Sequence, residues 1–522
     1  MKLQIWICLL TASPLLADEN VQATAKLIDQ HIFDRLVKEK TLPAPRSSDA
    51  EFLRRVWIDI AGKIPPASRA RQFAADANAN KRKLAVNELV DGAGYVNHFT
   101  TFWRNVLMPE VKSDQQVQRL LPGFDAWLRK HLASNTPYDD LVREIITTPL
   151  ASKGRNQQMV RRGAEQSSIA FFQAKQIAPE NLAAATSRIF LGIRIECAQC
   201  HDHPFDDWTQ KQFWSYASFF AGIERQGEDG IFGQVEEVFD RREMLIPDSE
   251  VVVQASYLDG KEPRWKRNVS ARQELAGWTT SAENPYFARM AVNRMWGEFF
   301  GVGLVDPVDD FTEYNACSHP ELLASLTAKL VEQDFDVKFL IRAITSSRAY
   351  QLSSAGTKKA ETDPQLFASM AVKGLTPDQL FDSLAEATGF FEAFTVRQPN
   401  DNNSRMTARA EILELFANDS DPATLQQTSI LQALALMNGQ FTASAVDLQQ
   451  SRTLAAVVSF PMTPEERVES LFFATLSRAP TAQEKQLFVE YVKAGGVTNS
   501  QSQALADVFW ALLNSSEFST NH

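Results

Sequence analysis

Two cysteines, two histidines and three aspartates fall within thirteen residues, ECAQCHDHPFDDW (196–208). Three chemistries fit these residue types. Cys197-Ala-Gln-Cys200-His201 has the spacing of c-type haem attachment: two thiols three residues apart add to the two haem vinyl groups, and the next side chain offers an imidazole nitrogen to the iron. Alternatively, Cys197 and Cys200 join His203 and Asp206 around zinc or another divalent cation, with Cys317 or His319 as a distant further ligand. The third chemistry is a Cys197–Cys200 disulfide or dithiol, although no thioredoxin-like βαβ pattern surrounds the pair. A metal-dependent hydrolase centred on His201, His203 and Asp206 is a more specialised form of the metal reading.

His203 lies two residues beyond His201 and does not easily reach the opposite face of a haem. It reads as an outer partner of the site, or as a His203-Pro204 turn leading into the helix TQKQFWSYASFF. Met108, Met159 and Met244 are available as a sixth iron ligand, and none is singled out, because a methionine in a helical chain usually fills core space.

The elements that position this stretch are helical. TSRIFLGIRIECAQCH reads as an amphipathic helix running into a glycine and then the cysteines. Capping boxes mark further helix starts at Thr376-Pro-Asp-Gln379, Thr463-Pro-Glu-Glu466, Thr481-Ala-Gln-Glu484 and Ser318-His-Pro-Glu321. Near the end of the chain Leu505, Val508, Phe509, Leu512 and Leu513 share one helix face. Between about 231 and 265 the texture changes to Val-rich short alternations ending in Asp-Gly, which predicts a small β-rich insert or hairpin pair. The expected fold is therefore mainly α, with a helical domain over 20–225, the β-rich insert, and a second helical domain over 270–520. QPNDNNSR (398–405) reads as a surface loop.

With 522 residues, 44% of them hydrophobic, the chain is long enough for more than one core. Its net charge of −11 and lack of a dense Lys/Arg block argue against a nucleic-acid partner; RRVW and WKRN are isolated clusters. The start, MKLQIWICLLTASPLLADEN, has one lysine, a short apolar run and small residues up to Ala17, the pattern of a Sec signal peptide cleaved near Ala17–Asp18. No later segment is apolar enough to span a membrane. Periplasmic or otherwise exported protein is the expectation, and removal of residues 1–17 leaves Cys197, Cys200 and Cys317. Three cysteines in a chain of this size do not make a disulfide scaffold.

Several longer stretches resemble known families. IDQHIFDRLV (28–37), FLRRVWIDIAGKIPP (52–66) and CAQCHDHPFDDWTQKQFWSYASFF (197–220) resemble the planctomycete cytochrome-C-like domain of unknown function. NPYFARMAVNRMWGEFFGVGLVDPVDDF (284–311), SHPELLASL (318–326), DVKFLIRAITSSRAYQLSS (336–354), TSILQALALMNG (428–439), LSRAPTAQE (476–484) and ALLNSSEF (511–518) resemble the planctomycete-specific C-terminal domain of unknown function. The resemblance implies an exported bacterial protein of undefined activity with a haem-type motif, and a link to polysaccharide breakdown. It departs from the family at FWRNVLMPE (102–110), where relatives carry Trp-x-Asp-x-x-Arg, and at Cys317, where they more often carry Pro or a small residue.

Asn293, Arg294, Asp309 and Asp310 form a second polar set, read either as a cation or sugar site or as an Arg294–aspartate ion pair that fixes a helix-to-loop connection. The expected function is a haem c protein in periplasmic electron transfer or an oxidative step, acting with a redox partner protein. The competing expectation is a metal-stabilised scaffold or carbohydrate-associated accessory protein in which CxxCH is structural. No catalytic residue is assigned.

Overall fold

The fold is known from a computed structural model that describes residues 14–150, 168–226, 234–355, 363–390, 408–415 and 444–522. Met159, QPNDNNSR and TSILQALALMNG lie outside the described residues, as does most of the apolar N-terminal run. Helices make up most of what is described, and the strands form only two-stranded antiparallel sheets. β1 (Ile223–Gln226) pairs with β2 (Gln234–Glu237), and β3 (Glu243–Leu245) pairs with β4 (Val252–Gln254). These two hairpins account for the Val-rich texture, with β1 beginning ahead of residue 231. β5 (Lys373–Gly374) and β6 (Thr520–Asn521) form a third, two-residue pair that ties the chain's last residues to its middle.

Local sequence explains most helix starts. Thr376, Thr463 and Thr481 each accept the backbone N–H three residues on, while Gln379, Glu466 and Glu484 accept in return, completing three of the four expected boxes. The fourth is not formed. Ser318 donates its hydroxyl to Leu304 O at 3.1 Å, and the helix Pro320–Glu332 starts after His319 with no side-chain cap. Tertiary contact with the preceding loop outcompetes the cap there. No helix among the described residues is long and apolar enough to cross a membrane.

The packing does not divide at the hairpins. One core runs from Ile28 in the first helix (Pro14–Lys38) through Phe220 and Trp296 to Met370, drawing on residues from both sides of the β insert. A second core, from Leu375 to Phe518, gathers the C-terminal helices and includes the periodic face of the helix Gln501–Leu513. Ile58 and Ile64 join this second core from the N-terminal half.

The helix Asp49–Ala61 connects these regions through three buried charged residues. Arg54 donates to Thr475 O and Phe518 O at 2.9 and 2.8 Å. Arg55 donates to Tyr350 O and Leu352 O at 2.6 and 2.9 Å. Asp59 accepts from Lys373 Nζ, Tyr350 OH and Asn521 Nδ2, each at 2.7 Å. The arginines of RRVW are thus interior struts. Backbone carbonyls take most of their terminal N–H donors, and Glu51 accepts one more from Arg55 at 2.8 Å, while the Nε of each arginine has no partner among the described residues.

Candidate functional site

The chain reaches the CxxCH stretch through a helix that loosens. The helix Pro179–Thr186 widens into a π turn over Ser187–Leu191 and stops at Gly192, whose φ is +70°. A side chain at Gly192 would collide with the Phe311 ring, and Phe311 N donates to Gly192 O at 2.8 Å. The following turn, Glu196–Gln199, is 3₁₀. Cys197 lies within this turn and Cys200 caps its end. Ala198 between them is fully buried and anchors the turn, while both cysteines are exposed. Neither is in a disulfide.

Backbone acceptors hold the turn from behind. Trp214 Nε1 donates to Gln199 O at 3.0 Å, and Gln210 Nε2 donates to Cys200 O at 3.0 Å. Both donors come from the helix Gln210–Ala217, which Thr209 and Gln212 start with a capping box. Asp202 adds a further bond, accepting from Gln210 N at 2.8 Å. Within HDHPFDDW, His203 N donates to Trp208 O at 2.7 Å and closes the loop. The turn expected at His203-Pro204 is present, and Asp202 rather than His203 serves the next helix.

His201 is exposed, and its Nδ1 lies 2.7 Å from Asp202 O. A carbonyl can only accept, so Nδ1 is the donor, the tautomer in which a neutral imidazole presents Nε2 as its acceptor. A metal-binding histidine is commonly oriented in this way. Phe205, 74% exposed, stands two residues beyond His203 as an apolar surface with no cover. Two exposed, unbridged thiols and a neighbouring imidazole are the residue types covalent haem c would use: Cys197 and Cys200 would be the attachment points and His201 the iron ligand.

The zinc set is not assembled. His203 Nδ1 accepts from Phe205 N at 3.3 Å, and Asp206 accepts from Asp207 N at 2.9 Å. Among the described residues no three His, Cys, Asp or Glu side chains gather in a group fit to hold a metal ion. Cys317 is half-buried, and burial pushes its thiol up. His319 is buried, which pulls its imidazole down to about 4; its Nδ1 lies 3.1 Å from Ser318 Oγ. Met108 is fully buried, and Met244 lies half-buried in β3.

The second polar set is distributed differently from expectation. Asn293 clamps a loop, donating to Val305 O and Val308 O at 2.8 and 3.0 Å and accepting from Val305 N at 3.0 Å. Among the described residues Arg294 makes no ion pair with an aspartate. Asp309 pairs instead with Arg188 and Arg194, at 2.8 and 2.5 Å, and Arg194 also approaches Asp310 at 3.7 Å. Burial raises the Asp309 carboxyl, but hydrogen bonds and charge from the two arginines outweigh it and hold it below the ordinary value. Glu196, at the start of the 3₁₀ turn, is pushed up by burial. The approach to CxxCH is therefore latched to the loop that follows the helix Phe287–Phe300.

A mainly helical chain with an exposed CxxCH turn defines a broad class, and family comparison narrows it. Residues 27–225 match the model described as PSCyt2, a protein of unknown function (DUF1549), and residues 271–492 match PSD1, a protein of unknown function (DUF1553). The chain carries these two planctomycete domains, cytochrome-C-like and C-terminal, in that order. No curated protein and no solved structure matches it.

Proposed function

We propose that this is an exported c-type haem protein that passes electrons to or from a redox partner outside the cytoplasm. The observation that carries the reading is the exposed turn itself: two unbridged, exposed thiols three residues apart beside an imidazole whose Nδ1 is held by Asp202 O. Cys197 and Cys200 would hold the porphyrin through thioether bonds, and His201 Nε2 would face the iron. Bound haem would supply one-electron chemistry at its iron. The protein's own part is to keep the turn rigid through Ala198, Trp214 and Gln210. An exposed attachment turn also leaves a haem edge open to a partner, which suits exchange of electrons between proteins. The Sec-type leader agrees with this reading, because haem is attached covalently outside the bacterial cytoplasm. The link to polysaccharide breakdown belongs to the same reading, as the setting in which an exported redox protein would act.

The test is production of the full chain with its own leader in a host that matures cytochromes c. Haem that survives denaturing electrophoresis and disappears in the Cys197→Ser/Cys200→Ser variant is the expected result. A colourless product carrying stoichiometric zinc overturns the reading in favour of a metal-stabilised scaffold.

A further inference from the structure

A cavity of about 310 Å³ opens between the helix Phe287–Phe300, the loop after it, the β5–β6 pair and the helix Asp49–Ala61. One face of the helix Phe287–Phe300 forms a wall, because Arg294, Gly297 and Glu298 are spaced by three and four residues. Gly297 is required there, since a Cβ would lie 2.7 Å from Val308 Cγ1 on the facing loop.

Arg294 and Glu298 are opposite charges one turn apart, a spacing that normally yields an ion pair. They form none. Arg294 is 8% exposed; its only hydrogen bond among the described residues is to Ile189 O at 3.3 Å, and its Nε has no partner. Arg54 and Arg55, also buried, each donate to two backbone carbonyls within 2.9 Å, whereas Arg294 keeps this one long bond. Among the described residues Glu298 accepts no hydrogen bond, and the basic group within 4 Å of its carboxylate is His98, with Nε2 at 3.9 Å. Burial pulls His98 down to about 4, so this contact is not an ion pair at neutral pH. Glu298 keeps 26% of its side-chain area open while lining the cavity. Asn521, 2% exposed, gives its amide N–H to Asp59 and leaves Oδ1 without a donor in the same wall.

The other charges are already satisfied or lie at the rim. Lys373 spends its three donors on Asp59, Glu298 O and Phe299 O. Asp309 is held by Arg188 and Arg194, and Asp306 is exposed at the mouth. What remains is one cation with a single long hydrogen bond, the Glu298 carboxylate one helical turn along, and the Asn521 amide oxygen in the β5–β6 wall. We propose that this cavity binds a small organic acid, its carboxylate on Arg294 and a hydroxyl or amino substituent on Glu298 and Asn521. The volume is at the low end for ligand pockets, which suits a compound of a few carbon atoms. The site is independent of whether haem is attached at Cys197 and Cys200.

The test uses the full mature chain and thermal unfolding in glycolate, with acetate and chloride at matched ionic strength. Glycolate is expected to raise the melting temperature above acetate, and acetate above chloride. In Arg294→Gln both organic anions should fall to the chloride level. In Glu298→Gln acetate should still act while the advantage of glycolate shrinks. If neither acid exceeds chloride in the wild type, or if Arg294→Gln keeps the glycolate response, the proposal is overturned. Should Arg294→Gln fail to fold, titration of wild type and Glu298→Gln with glycolate and acetate, followed by NMR, decides it: equal weakening of both acids, or of neither, overturns the assignment.

Discussion

The CxxCH turn and the polar cluster around Asp59 use charged and reactive side chains in opposite ways. At the turn, Cys197, Cys200 and His201 face solvent, and backbone bonds from Trp214 and Gln210 hold them in place. Around Asp59, the side chains of Lys373, Tyr350 and Asn521 are buried and all donate to its carboxylate. The turn is built from neighbours in sequence, whereas the cluster joins residues up to 462 positions apart. An exposed reactive group needs little of the fold to exist but needs a partner to act. A buried charge network makes the fold itself depend on every member.

The largest expected effect follows from that dependence. Asp59→Ala leaves the Lys373 ammonium and the Asn521 amide buried without their common acceptor, and should lower unfolding stability by about 3–5 kcal/mol. Asp206→Ala in the loop, where the carboxylate bonds only to the next backbone N–H, should stay within about 0.5 kcal/mol. Urea unfolding of both variants checks the contrast, and equal losses would break it.

Asp309 and Glu298 sharpen the comparison through opposite pH dependence. The folded state holds Asp309 below its ordinary value, so its stabilisation is present above the unfolded pKa, near 3.9, and is lost as pH falls through the lower folded value. Asp309→Asn should cost about 1–2 kcal/mol at neutral pH, limited by the partial exposure of both arginines, and almost nothing in strong acid. For Glu298, burial raises the carboxyl, with Lys373 opposing and Asp59 reinforcing the shift. Ionising it in the folded state is unfavourable, so its destabilising effect begins as pH rises past the unfolded value, near 4.3, and levels off above the folded one. Glu298→Gln should therefore be neutral in acid and more stable than wild type at higher pH. Melting curves across pH that show the same slope for both variants would contradict these placements.

A smaller effect is expected at Thr376, whose side chain accepts Gln379 N while Gln379 accepts Thr376 N. Thr376→Ala removes half of this box and should cost about 1 kcal/mol, measured by chemical unfolding.

What sequence revealed follows the same divide between local and distant. The boxes at Thr376, Thr463 and Thr481 and the apolar face ending at Leu513 were legible because they are decided within one or two turns. Ser318 fits the same pattern and misled, because Leu304, fourteen residues earlier, competes for its hydroxyl. The CxxCH motif was legible as spacing, and structure adds that both thiols are exposed and unbridged. Arg294 was singled out, but its expected aspartate partner goes to Arg188 and Arg194, and no local pattern foretells that choice. Nothing in FLRRVWIDIAG marked Asp59 as the acceptor for residues 350, 373 and 521. The spacing of Arg294, Gly297 and Glu298 was the one local hint of a cavity wall, and without the facing loop it reads as an ordinary helix surface.

The smallest expected change in stability is at the cysteines. Cys197 and Cys200 are exposed and unbridged, and Ala198 supplies the burial that anchors their turn. Replacing both with serine keeps size and polarity close to the original, so in protein made without haem the melting curve should move by no more than an exposed substitution usually does, within about 0.5 kcal/mol. In protein matured with haem, the same double variant should lose all covalently bound cofactor, read by absorbance after denaturation. A large loss of stability in the haem-free variant would instead mean that the two thiols hold the turn together, as a disulfide or a metal clip would. That outcome would move the CxxCH turn to the structural side of the comparison, beside Asp59.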